Sequence, residues 1–155
     1  MSIRKIKDSS SNLDKALNRL EECFKNERTD DFLIDAAIHR FETVIRLTWK
    51  LLYRSLSYEG IIPESPRKNL KIAYSINWID NELIWLKIIG LNEQIIHAYI
   101  EDKIAPDLFK QIKTVIPEIT RLSQLIKDKL EAYEETTKRQ HAVSLIRVSV
   151  VFGAL

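Results

Sequence analysis

Apolar residues recur at intervals of three and four along almost the whole chain, which is the spacing of helices with one buried side. Only three glycines and four prolines interrupt this pattern. It predicts an all-α fold with five helices, beginning near residues 10, 31, 66, 82 and 106. The second is long, and the fifth keeps one apolar stripe for about seven turns, although Pro117 should kink or split it.

Residues suited to helix N-termini precede several of the predicted helices. Ser65 is followed by Pro66, and proline is favoured at the first helical position because its φ angle is already helical. The other candidate caps are Ser10, Ser11 or Asn12 for the first helix and Asp80 or Asn81 for the fourth. These signals set the boundaries more sharply than periodicity alone does.

The length of 155 residues is that of one domain, which we place at residues 10–133. Residues 1–9 form a basic leader that we expect to be flexible. Residues 134–155 comprise a charged helix end and a valine-rich tail that is unlike the rest of the chain. This tail is too short to span a membrane and contains Arg147, which leaves a short strand, a partner-binding segment or an aggregation-prone extension.

Composition narrows the classes of function. Twenty-four Lys and Arg against 22 Asp and Glu give a net charge of +2 with interspersed signs, so any contact with RNA must be local. The single cysteine, Cys23, lies on an apolar stripe and is expected to be a buried, inert thiol. No export signal or membrane span is present, which predicts a cytoplasmic protein. His39 has no second histidine at helical spacing, so we expect neither a metal nor another cofactor.

Four hydrogen-bonding side chains lie near the end of the fourth predicted helix: Asn92, Glu93, His97 and Tyr99. His97 follows Glu93 by one turn, and Asn92 and Tyr99 lie within about half a turn on either side. We expect them to share one end of the helix, either as a functional cluster or as packed residues with satisfied polar groups.

Two further groups of side chains have structural and functional interpretations. Arg67, Lys68 and Lys71 give the third helix a basic side, which is either a solvated surface or a contact for a phosphate or a partner. In the second helix, spacing alone makes Phe41 and Trp49 core residues and allows a surface ion pair between Glu42 and Arg46. Their sequence context is nevertheless distinctive.

Four segments together carry a resemblance: F-E-T-V-I-R-L-T-W-K at 41–50, S-P-R-K at 65–68, I-D-x4-W at 79–85 and H-A-Y-I-E-D at 97–102. In order and spacing they resemble the HEPN family, specifically its branch of nucleotidyltransferase substrate-binding proteins. The resemblance runs from about residue 14 to residue 125. It implies a five-helix up-and-down bundle that forms a homodimer and is encoded beside a minimal nucleotidyltransferase, commonly as a toxin–antitoxin pair.

The resemblance also implies roles for particular residues. In active members an arginine and a histidine form a metal-independent ribonuclease site, and a tyrosine two residues after the histidine accepts AMP from the partner. His97 and Tyr99 match the histidine and the tyrosine, whereas Asn92 stands where the arginine should be and Glu93 follows it. Without a cation to stabilise the phosphorane, RNA cleavage should be weak or absent, unless Lys87, Lys103 or an arginine from another helix replaces it.

Two functions follow as expectations. The favoured one is a binding protein, a dimeric partner of a nucleotidyltransferase in which Tyr99, Asn92 and Glu93 form the docking or modified surface. The alternative is a weakened ribonuclease toxin that uses His97. A helical dimer that has lost both roles is a third possibility, and it predicts neither modification nor cleavage.

Overall fold

A computed structural model describes residues 1–25, 30–101 and 106–153. It contains five helices, α1 (Ile3–Glu22), α2 (Asp31–Tyr58), α3 (Pro66–Ser75), α4 (Glu82–Glu101) and α5 (Pro106–Gly153). Every regular element in these ranges is helical, so the predicted all-α class and the number of helices are confirmed. α1 packs along α2 and α5, and α4 packs against α2, α3 and α5. The helices thus enclose one core.

The core consists of the apolar stripes that the periodicity identifies. Phe41 and Trp85 are its largest fully buried side chains, and Trp49 packs against Trp85 with ring centroids 6.1 Å apart. The aromatic residues of two segments that resemble HEPN proteins are therefore part of the packing. Cys23 is buried, as predicted, and its sulfur accepts a hydrogen bond from Arg40 Nη1 at 3.4 Å.

The N-terminus differs from the expected flexible leader. α1 begins at Ile3, and Ser2, rather than Ser10, Ser11 or Asn12, caps it by accepting a hydrogen bond from the Lys5 amide at 3.3 Å. Ile6 and Ser9 are buried because α2 covers them. Arg54 of α2 donates hydrogen bonds to the Lys5 carbonyl oxygen at 3.0 Å and to Ser9 Oγ at 2.7 Å. These tertiary contacts extend the helix by two turns.

The other predicted caps are confirmed where they can be tested. Ser65 Oγ accepts a hydrogen bond from the Lys68 amide at 3.4 Å, with Pro66 at the first helical position. Asn81 Oδ1 accepts one from the Ile84 amide at 3.2 Å, which makes Asn81 the cap of α4 rather than Asp80. Both helices therefore begin where side-chain acceptors satisfy amides that have no partner within the helix.

Helix α5 departs from expectation in two ways. It continues through Pro117 without splitting, because Val115, Ile116 and Ile119 are buried and their packing outweighs the one missing amide. It also continues through the valine-rich segment, so the short strand considered for that segment is wrong. From Glu135 to Gly153 every residue is exposed, and we call this part of α5 the C-terminal arm.

Two general properties concern possible sites. None of the helices described is long and apolar enough to cross a membrane. Within residues 1–25, 30–101 and 106–153, no three His, Cys, Asp or Glu side chains are grouped closely enough to hold a metal ion.

Candidate functional site

The four polar residues at the end of α4 lie on two different sides of the helix. His97 is exposed and follows Glu93 by one turn, on the same side as the partly exposed Leu86. Tyr99 instead continues the side that carries the half-buried Asn92 and the buried Ile95. The expected single cluster is therefore two surfaces, one around His97 and one around Tyr99.

Tyr99 lies where α4 passes residues from the first half of α2. Its side chain is 55% exposed, so its hydroxyl is open to a partner molecule. Partial burial raises the pKa of Tyr99 above the ordinary value of 10, and the nearby carboxylate of Glu42 on α2 raises it further, with a smaller contribution from Asp35. The phenol is thus held in its neutral form beside two carboxylates.

This arrangement suits a tyrosine that attacks an electrophile supplied from outside. A neutral phenol becomes a good nucleophile when a base removes its proton during the attack. The carboxylate of Glu42 is the nearest such base in the described structure. We call Tyr99 and Glu42, with Asp35, the tyrosine site.

The sequence did not indicate Glu42 as part of this site. It was expected to form a surface ion pair with Arg46, but their charged groups are not within 4.0 Å of each other in the structure. Glu42 turns instead toward Tyr99, 57 residues away in the chain. The phenylalanine–glutamate pair at 41 and 42 was the available signal, because it places a core residue beside a polar one on α2.

The surface around His97 is dominated by an ion pair. Arg67 Nη2 of α3 lies 3.1 Å from Glu93 Oε1, with both side chains more than half exposed. An arginine from another helix thus comes within one turn of His97, but Glu93 already neutralises it. Lys87, another possible replacement for the missing arginine, donates a hydrogen bond to Thr114 Oγ1 at 3.2 Å. Lys103 and Asp102 lie outside the described residues.

The remaining basic residues of α3 lie near this ion pair. Lys68 Nζ is 2.5 Å from Glu64 Oε2, and the hydrogen bond to Glu64 raises the pKa of the exposed Lys68. Lys71 lines a small depression of about 100 Å³ together with Arg67, Lys68 and Leu86. Two of the three predicted phosphate or partner contacts are therefore engaged by carboxylates of the chain itself, and the depression is too small for more than a single small group.

Comparison with protein families decides the relationship of the chain. Residues 8–132 match the model of the family described as "nucleotidyltransferase substrate binding protein like". The chain belongs to this family. The match includes α1 to α4 and the packed part of α5, and therefore both surfaces at the end of α4. The C-terminal arm, which begins at Glu135, lies beyond it.

One solved structure supports the same architecture for this family member. The chain is 27% identical to a Thermus thermophilus protein whose crystal structure is titled ttk003001694, with a TM-score of 0.59. The similarity covers 76% of this chain and 98% of that one. No curated protein matches the chain.

Proposed function

We propose that this protein is the binding partner of a minimal nucleotidyltransferase, and that Tyr99 accepts an adenylyl group from that enzyme, in a toxin–antitoxin pair. Membership of the nucleotidyltransferase substrate-binding-like family supports the choice of partner. The observation that carries the proposal is the exposed hydroxyl of Tyr99 beside the carboxylate of Glu42. An accessible nucleophile next to a base is what such a transfer requires of the acceptor.

The reaction balances with groups that the two proteins supply. Tyr99 Oη attacks the α-phosphorus of ATP held by the nucleotidyltransferase, and the bond from that phosphorus to the bridging oxygen of pyrophosphate breaks. The phenolic proton passes to the carboxylate of Glu42. The products are an adenylylated tyrosine and pyrophosphate, and this chain needs no cofactor of its own.

We further propose that the protein is a homodimer that associates through the exposed side of α4. Leu83, Ile96 and Ile100 are 78%, 50% and 76% exposed, which is unusual for large apolar side chains on one short helix. Light scattering would test this association. A Leu83→Glu variant should lower the mass of a dimeric species, whereas a protein that is monomeric at all concentrations would contradict the proposal.

The alternative function, a ribonuclease toxin that uses His97, has less support. Its chemistry needs a cation beside the histidine, and Arg67, the nearest arginine in the described structure, is paired with Glu93. Toxicity that disappears in a His97→Ala variant, while binding to the nucleotidyltransferase persists, would favour this alternative.

The decisive test is the intact mass of the chain after incubation with the nucleotidyltransferase encoded beside it and ATP. We expect the native chain to gain one or more adenylyl groups and a Tyr99→Phe variant to gain none. A Tyr53→Phe variant is the matched control, because Tyr53 is 47% exposed and lies elsewhere, on α2. Modification that persists in Tyr99→Phe, or no modification and no copurification of the two proteins, would refute the proposal.

A further inference from the structure

A second candidate site lies between α1 and α2. The two helices enclose a groove of about 420 Å³ whose walls include Lys15, Arg19, His39 and Arg40. This volume is within the range of pockets that hold small organic ligands. Neither the sequence pattern nor the tyrosine site assigns a role to these four side chains.

The groove is positively charged. Among the described residues, the only carboxylate within 4.0 Å of any of these four side chains is that of Glu22, whose Oε2 is 3.6 Å from Arg40 Nη1. Lys15 and Arg19 therefore bring two charges without an ion-pair partner in that part of the chain, and His39 adds a third when it is protonated. Such a concentration of positive charge attracts anions.

Arg40 is held in a position that suits anion binding. Its Nη1 donates to the Arg19 carbonyl oxygen at 2.6 Å and to Cys23 Sγ at 3.4 Å. Neither Nη2 nor Nε of Arg40 has a hydrogen-bond partner among the described residues. A guanidinium has five N–H donors in a planar fork, so this side chain is fixed on one side and retains donors for a bidentate contact with phosphate.

The groove also has an apolar part. Ala16, Ala36 and Leu47 line it between the basic side chains, and Asn12 and Thr43 add polar groups at its edge. A bare inorganic anion would leave these apolar walls uncovered. The combination therefore fits a molecule with a phosphate group and a less polar body.

We propose that this groove binds a small organic phosphate, with Lys15, Arg19 and Arg40 contacting the phosphate and the apolar walls contacting the rest of the molecule. The proposal does not depend on the function proposed for Tyr99, because it concerns a different surface. On α2, His39 lies between the groove and the side that carries Asp35 and Glu42. A ligand in the groove would therefore lie close to the tyrosine site without occupying it.

Isothermal titration calorimetry of the full chain at low ionic strength tests the proposal, with AMP as the probe. We expect one AMP per chain, and weaker binding of adenosine and of inorganic phosphate, each of which lacks one half of the recognition. Ribose 5-phosphate distinguishes the source of the body: binding equal to that of AMP would identify a sugar phosphate, and weaker binding a nucleotide. No binding of AMP or of ribose 5-phosphate at millimolar concentration would overturn the proposal.

Variants locate the binding. A Lys15→Gln, Arg19→Gln double variant should bind AMP about tenfold more weakly or worse, because two charged contacts are lost. The matched control is Lys110→Gln, Lys113→Gln, which removes the same charge from exposed positions on α5 and should bind like the native chain. Arg40→Lys, which keeps the charge but removes the fork, should also weaken binding. Equal affinities in the groove variant and the control would overturn the assignment to this groove.

Discussion

Replacing Glu42 by glutamine gives the sharpest test of the tyrosine site, because two mechanisms predict opposite results. If Glu42 accepts the proton of Tyr99 during attack, the variant loses its general base. Such a loss slows a reaction by about a hundredfold or more, which corresponds to about 2.7 kcal/mol in the activation free energy. Glutamine is nearly the same size, so binding of the nucleotidyltransferase should change little.

If Tyr99 instead reacts as a phenolate formed beforehand, the same variant should react faster. A tyrosine with an ordinary pKa of 10 is ionised in only about one molecule in a thousand at pH 7. The Glu42 carboxylate makes this fraction smaller still, because it raises the pKa of Tyr99. Removing the charge would increase the phenolate population and hence the rate.

Single-turnover adenylylation at pH 7, followed by intact mass, separates the two mechanisms. Asp35→Asn is the control, because it removes a more weakly acting carboxylate and leaves Glu42 in place. We expect a large loss of rate in Glu42→Gln and a small change in Asp35→Asn. In Glu42→Gln the residual rate should rise about tenfold per pH unit below the pKa of Tyr99, since only phenolate then reacts. A Glu42→Gln rate equal to or above the native rate would refute the assignment of Glu42 as the base.

Three further predictions concern stability. Phe41→Ala should lower the free energy of unfolding in urea by about 3–5 kcal/mol, whereas Phe32→Ala, at a position 87% exposed, should change it by less than about 0.5 kcal/mol; similar losses in both would contradict the packing. Burial and the hydrogen bond to Glu59 raise the pKa of Tyr133, so its hydroxyl stabilises the fold below pH 10 and loses this effect at higher pH. The difference in Tm between native protein and Tyr133→Phe should therefore be constant from pH 7 to 9 and shrink above about pH 10, and a difference that persists unchanged would argue against this contact. Removal of residues 136–155 should change the free energy of unfolding by less than about 1 kcal/mol, because the described part of that segment is fully exposed, and a larger loss by urea denaturation would show that the segment packs on the bundle.

The helical class and most helix boundaries could be predicted because they depend on local chemistry. Apolar spacing identifies the buried side of each helix, and the Ser65–Pro66 pair identifies the start of α3 without knowledge of the rest of the fold. The start of α1 could not be predicted in this way. It depends on Arg54, which bonds to Ser9 from a position 45 residues away.

The candidate site shows the same division between local and distant information. His97 and Tyr99 could be selected from their sequence context, and their spacing on α4 follows from helix geometry. The partners of that helix could not, because Glu42 and Arg67 reach its two sides from α2 and α3. Which charge accompanies which functional residue is decided by the packing of helices, and this packing is not encoded in any short segment.

The C-terminal arm has a consequence for how the protein behaves in solution. From Glu135 to Gly153 it extends for roughly 28 Å at the rise of an α-helix, about the diameter of a compact domain of this size. A monomer with such a projection diffuses more slowly than a sphere of the same mass and has a larger Stokes radius. Its elution from a gel-filtration column would therefore resemble that of a compact dimer, and only a shape-independent measurement of mass can assign its oligomeric state.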